Sequence, residues 1–254
     1  MHPKSLLPAI SWRFLLIYFW FLCSVLVFFT SGTVESEDGW LYLGVARNIY
    51  YNHSFTAPAN EYLSGKNVNM NSIPQEDGSW KPPGGYLYSI ALVPSVFLSD
   101  VYHKVTQTPV PEYFPLETDW SLLFFASFTN IFFLAATGVA FFYYLLMLKF
   151  SKKEALLFSL LLVFCTNLFP LATFGFTQLL FTFFLLLSFL FIKLNHTTQQ
   201  KRFLVFAGGS FTLLALSYNH SFVVTIPALF AYYLLLHNKL FDKKLWLFLG
   251  AGLV

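Results

Sequence analysis

Long apolar runs separated by short polar ones set the pattern of this chain. Phe14 to Thr30, Ser121 to Leu148, Ala155 to Leu194 and Phe203 to Leu236 are hydrophobic stretches, and another begins at Leu245. A helix needs about 20 apolar residues to cross a bilayer, so the first two stretches suit one span each. The third and fourth are too long for one span and must each fold back as a helical hairpin. The breaks are expected where proline, glycine and polar residues interrupt the run, near Phe169 to Gly175 in one and Ser217 to His220 in the other. The pattern predicts an all-α polytopic membrane protein forming a single transmembrane domain over residues 1–254, with spans at 14–30, 120–148, 155–174, 176–194, 203–218 and 220–237. A seventh starts at 245–254 and is too short to cross, so the chain reads as a fragment, the N-terminal part of something longer.

The run from Gly84 to Ser99 is ambiguous. Sixteen residues cover about 24 Å as a helix, less than the roughly 30 Å hydrocarbon core, and Pro94 interrupts them. Basic residues decide the matter, because cytoplasmic loops are enriched in Lys and Arg. If the run does not span, eleven of the fifteen basic residues fall inside, leaving only Arg47, Lys66, Lys81 and Lys104 outside. If it does span, the inside keeps only Lys4, Arg13 and Lys104. Residues 31–119 are therefore expected to form one extracytoplasmic loop with interfacial helices near 38–51 and 84–99, and the N-terminus to be cytoplasmic. The first run reads as a retained signal-anchor, since no small-x-small cleavage site follows it. Trp120 at one end of its span, with Tyr143-Tyr144 and Tyr232-Tyr233 near the other ends, fits aromatic belts at both interfaces.

Composition agrees with this pattern and excludes other classes. The chain is 57% hydrophobic and 11% charged, with 33 Phe and 14 Tyr, which no ordinary soluble domain matches. Its net charge of +3 is dispersed between apolar runs, giving no basic patch for nucleic acid. Cys23 and Cys165 lie far apart inside apolar runs, so they suggest neither a disulfide framework nor a metal-ligand spacing.

Against this background the polar stretch Glu35-Ser36-Glu37-Asp38-Gly39-Trp40 is costly unless it meets water or performs chemistry. The spacing Leu41, Val45, Ile49 predicts an amphipathic helix beginning at these acids, whose charge suits a helix N-terminus. Helix capping and a catalytic role are both compatible with that placement. The same loop holds Trp80-Lys81-Pro82-Pro83-Gly84, where two prolines stiffen the approach to the second interfacial segment and fix the depth of Lys81. Snorkelling of Lys81 to the interface is the alternative. Arg47 is expected to pair with an acidic neighbour or a lipid phosphate, and His220 faces the same side in a turn.

The order Asp38-x-x-x-Tyr42-x-x-x-Ala46-Arg47-Asn48, then Lys81-Pro82-Pro83-Gly84 and an interfacial helix, resembles the N-terminal part of the GT-C integral-membrane glycosyltransferases. Within them it is most similar to the branch of protein O-mannosyltransferases and lipid A aminoarabinose transferases. The resemblance implies a GT-C-like helix bundle that moves a sugar from a polyprenyl-phosphate donor to a lipid, glycan or protein acceptor on the extracytoplasmic face, with inversion. Asp38 matches the general base and Lys81 the residue that holds the donor phosphate; Glu37 is a supporting acid, and Tyr42, Arg47 and His220 are possible substrate contacts. The pattern departs from the family at Gly39, where many relatives carry Glu, and at Trp80, where some carry an acid linked to a metal. No metal ligand or cofactor is assigned, and a divalent ion is left open. A transporter or flippase for a lipid-linked or anionic substrate, and a non-catalytic truncated relative, are the competing readings.

Overall fold

The computed structural model describes residues 8, 10–32, 37–56, 73–74, 80–81, 86–110, 119–174, 177–217 and 219–237, with side chains for all except 37, 38, 73, 74, 80, 173, 174, 219–222 and 224. Nine helices are described: α1 (Trp12–Val27), α2 (Glu37–Asn52), α3 (Leu87–Thr106), α4 (Trp120–Met147), α5 (Lys152–Phe164), α6 (Leu168–Phe174), α7 (Gln178–Thr198), α8 (Arg202–Ser217) and α9 (Asn219–His237). One short antiparallel pairing joins β1 (Ile73–Pro74) to β2 (Trp80–Lys81), with Ile73 opposite Lys81. Helices α4 and α7 are long and apolar enough to cross a membrane, and α1, α8 and most of α9 are shorter apolar helices.

Helix α4 is the axis of the bundle and packs against α1, α3, α5, α6 and α7. At 28 residues it is about 42 Å long. It starts where the Asp119 carboxylate accepts the Leu122 N–H at 3.0 Å, replacing a bond that the first turn of a helix cannot make internally. Helix α1 runs antiparallel to it, with Phe14 against Phe142 and Phe19 against Phe132. Gly138 lets three helices meet: a Cβ there would lie 2.7 Å from Val163 of α5 and 2.9 Å from Leu22 of α1. The close approach is fixed by Ser159, whose hydroxyl donates to the Gly138 carbonyl at 2.7 Å and lies 2.8 Å from the Tyr18 hydroxyl.

Several sequence expectations need correction. The stretch 155–174 is not one continuous helix, because α5 stops at Phe164 and α6 starts at Leu168. Pro170 explains this: its ring would clash with the Thr166 carbonyl in a continuous helix, whereas it is tolerated in the first turn of a new one, so the break falls before the proline. The helix expected over 84–99 is 20 residues long and runs on to Thr106, past the expected end at Ser99. Pro94 does not stop it, and its exposed position lies away from the packed face. Finally, Tyr233 does not reach the surface: it is fully buried, and Tyr144 donates to the Tyr232 hydroxyl at 2.9 Å, joining α4 to α9. The break between α8 and α9 falls after Ser217, as expected, but Asn219 and His220 belong to α9 rather than to a turn. The run at 245–254 lies outside the described residues.

Helix α3 is built the reverse of a helix in water. It buries Ser89, Ser95, Ser99, Asp100 and His103, and exposes Ile90, Phe97, Leu98, Val101, Tyr102 and Val105, the last at 76%. The polar face is spent on neighbours: Ser95 donates to the Phe125 carbonyl at 3.1 Å and lies 3.1 Å from the Thr129 hydroxyl, while Ser99 lies 2.6 Å from the Ser121 hydroxyl. These contacts set α3 antiparallel along the first half of α4.

Candidate functional site

The acids of the opening polar stretch begin α2, as their residue types favour. Glu35 lies outside the described residues. Glu37 and Asp38 are the first two residues of the helix, and their side chains lie outside those described. Tyr42 follows one turn after Asp38. It is almost fully buried and meets Tyr88 of α3 edge to face, with ring centroids 5.4 Å apart. Such a pair contributes about 0.5–1.5 kcal/mol beyond its buried area. Around it Leu43 and Ala46 of α2, Leu92 and Val96 of α3, Leu122, Leu123 and Ala126 of α4, and Leu180 of α7 form one core. The helix that carries Asp38 is thus held chiefly by α3, with the core of α4 and α7 beyond it.

Arg47 is buried rather than laid out toward solvent or headgroups, and its guanidinium sits over the Tyr51 ring, 5.9 Å from the centroid. The C-terminal turn of α2 is tied to α3 through Asp100. That carboxylate accepts Lys104 Nζ at 2.7 Å, the Tyr50 hydroxyl at 3.1 Å and the Tyr51 hydroxyl at 3.4 Å. The Lys104 ammonium, helped by the two phenols, holds the Asp100 carboxyl below its ordinary range despite burial. Burial, with the negative charge of Asp100 beside it, pushes the Tyr51 phenol up to about 12.

A second polar knot fastens α3 to the start of α4. Asp119 Oδ1 accepts the Ser121 hydroxyl at 2.8 Å and the Ser99 hydroxyl at 3.3 Å, and lies 3.2 Å from His103 Nε2. His103 Nδ1 lies 2.9 Å from the Thr108 hydroxyl. Burial alone would raise the Asp119 carboxyl, but the Leu122 N–H, Ser121 and His103 together hold it below its usual value. Ser121, His103 and Asp119 are not arranged as a nucleophile triad. Serine and aspartate both approach Nε2 (2.9 and 3.2 Å), whereas a triad needs them on opposite ring nitrogens.

Lys81 is half-buried in β2, immediately after Trp80, with its backbone paired to Ile73. Pro82 to Gly84 lie outside the described residues. His220 is the second residue of α9, at the end of the bundle where α4 and α7 begin; its side chain lies outside those described. The structure therefore brings Tyr42 and Arg47 into one packed helix headed by Glu37 and Asp38, and puts Lys81 on a separate strand that precedes α3.

Sequence reasoning did not single out Asp100, His103 or Asp119. For Asp119 a signal was present, an aspartate directly before an apolar run. Asp100, His103 and Lys104 also recur at helical spacing past the end of the apolar stretch. Among the described residues, no group of three or more His, Cys, Asp or Glu side chains stands close enough to hold a metal ion. No family model, characterised protein or solved structure matches the chain.

Proposed function

We propose that this chain is part of a polytopic membrane glycosyltransferase of GT-C type, taking a sugar from a polyprenyl-phosphate donor on the extracytoplasmic face. The observation that carries the reading is the pairing of two helices. An acid-headed helix, α2, is locked by Tyr42 and Tyr88 to a helix, α3, whose polar side faces the protein and whose apolar side faces out. An outward apolar stripe on α3 suits the edge of a bilayer, where phosphates of lipid carriers lie. It supports an active-site helix lodged at that depth.

In this reading Asp38 takes the proton of the acceptor hydroxyl as its oxygen attacks the anomeric carbon. The bond from that carbon to the carrier phosphate breaks from the opposite face, and the leaving phosphate keeps the electron pair. Lys81 balances the charge that builds on that phosphate. Tyr42, packed on Tyr88, fixes the rotation of α2 and with it the direction of Asp38. Transport is the less supported alternative, since a transporter sets ionisable groups at midspan. Asp100 and Asp119, the buried carboxylates described, are instead engaged at one end of the bundle.

The test is transfer from a radiolabelled polyprenyl-phosphate hexose in vesicles containing the full-length protein. Asp38→Asn is expected to lower the rate by about 10² to 10⁴, with insertion unchanged by protease protection. Full activity of Asp38→Asn would refute the mechanism, and movement of intact donor across the bilayer with no bond formed would favour the transporter.

A further inference from the structure

Three helices begin at the same end of the bundle, and each begins with cations. Helix α1 runs antiparallel to α4, which puts Arg13 at the end where α4 stops. Helix α5 starts there with Lys152 and Lys153. Helix α8 starts there too, with Lys201 and Arg202 directly before Phe203, which packs with Met147 of α4 and Leu194 of α7. Lys149 stands in the link between α4 and α5, with a left-handed backbone at φ 70°. The link is closed by the Lys149 N–H on the Leu146 carbonyl at 3.0 Å and the Phe150 N–H on the Leu145 carbonyl at 3.1 Å, so three lysines are displayed within five positions of a tight turn. All six cations are exposed.

This placement works against the helices that carry it. The first turn of a helix is its positive end and favours acids, whereas cations are favoured at the last turn. Neither α1 nor α8 has an acid in its first turn. Glu154 of α5 is the one acid at this end among the described residues, and its carboxylate accepts the Ser151 N–H at 2.8 Å. Arg202 Nε donates to the neutral Gln200 carboxamide at 2.8 Å. Asp100 and Asp119 are engaged at the opposite end. Six positive charges are therefore offset by one negative charge among the described residues. Exposed apolar side chains stand between the cations: Trp12, Phe14, Leu148, Phe150 and Phe206, with the Arg13 guanidinium 6.0 Å from the Trp12 ring centroid.

We propose that this end of the bundle is a docking surface for anionic phospholipid headgroups, whose phosphates supply the missing counter-charge. A small soluble anion matches the cations alone, whereas a leaflet matches the whole pattern, phosphates meeting the charges and acyl chains meeting the apolar side chains between them. The inference rests on insertion of the bundle in a membrane and not on sugar transfer.

The experiment titrates the full-length protein in neutral detergent with phosphatidylglycerol or phosphatidylcholine and follows thermal unfolding by tryptophan fluorescence. Phosphatidylglycerol is expected to raise the melting temperature saturably, and phosphatidylcholine to leave it unchanged. The triple variant Lys149→Gln, Lys152→Gln, Lys153→Gln should move the phosphatidylglycerol midpoint to a roughly 10²-fold higher concentration, at about fivefold per charge removed. Lys104→Gln, at the other end, should leave the midpoint in place. Equal responses to the two lipids, a triple variant with an unshifted midpoint, or a Lys104→Gln protein shifted as far, overturns the proposal. So does an equal rise in melting temperature with inorganic phosphate, which assigns the surface to a free anion. If the triple variant does not insert, the pair Lys201→Gln, Arg202→Gln gives the same readout: a midpoint raised about 25-fold supports the surface, and an unshifted one refutes it.

Discussion

Removing the Asp119 carboxylate tests how the site helix is held. Asp119→Ala deletes the N-cap of α4, which costs about 0.5–2 kcal/mol. It also strips an acceptor from His103, Ser99 and Ser121. The two hydroxyls can turn to one another, being 2.6 Å apart, and His103 Nε2 keeps the Ser121 hydroxyl at 2.9 Å, so no buried group is left without a partner. The expected total is therefore the capping loss, about 0.5–2 kcal/mol. Asp119→Asn keeps an oxygen in place for the Leu122 N–H and should cost less than about 1 kcal/mol at neutral pH. Because the folded-state carboxyl is held below its usual value near 3.8, its contribution is complete above that pH. It is lost as the pH falls through the lower folded value. Asp119→Asn should therefore flatten the acid limb that wild type shows below about pH 4. Detergent-solubilised protein, unfolded by heat and followed by tryptophan fluorescence across pH, gives all three quantities. An Asp119→Ala melt indistinguishable from wild type, or an acid limb unchanged in Asp119→Asn, would refute the reasoning.

Two further outcomes follow from packing and polarity. Gly138→Ala puts a Cβ 2.7 Å from Val163 and 2.9 Å from Leu22, so it should destabilise the α1–α4–α5 contact by about 1–3 kcal/mol; a Gly138→Ala protein as stable as wild type by denaturant titration would show that α5 can shift freely. Spin labels at Phe97 and Val105 should be relaxed by dissolved oxygen and protected from aqueous nickel complexes, whereas a label at Lys104, which is 73% exposed at its side chain, should meet both reagents. Equal exposure of all three to nickel would remove lipid from the description of α3.

Apolar run length located α1, α4, α7, α8 and α9 to within a few residues, because segments with no polar group to satisfy have few alternatives to helix. It failed at α3 for a physical reason. The last turns, Asp100 to Thr106, look polar in the chain, but Asp100 and His103 are satisfied by Tyr50, Lys104 and Asp119, so the helix continues where hydropathy ends. Tyr50 and Asp119 stand 50 and 16 residues from the side chains they satisfy, beyond the reach of local pattern. Pro170 misled in the opposite way, because a proline marks the first turn of a new helix as readily as a break. At the site, the acids at the head of α2 were legible from spacing, but the helix is not amphipathic as expected: every residue from Leu41 to Asn48 is buried, so no face of this stretch meets solvent. That Arg47 would be enclosed depended on how α2, α3 and α4 converge.

The inward polarity of α3 also carries a consequence for the order of assembly. Ser95, Ser99 and His103 find their partners at Asp119, Ser121, Phe125 and Thr129, which are synthesised 16 to 34 residues after them. Until α4 has emerged, the polar side of α3 lacks the partners that it has in the fold. The arrival of α4, rather than any property of α3, therefore times the closure of the core around Tyr42.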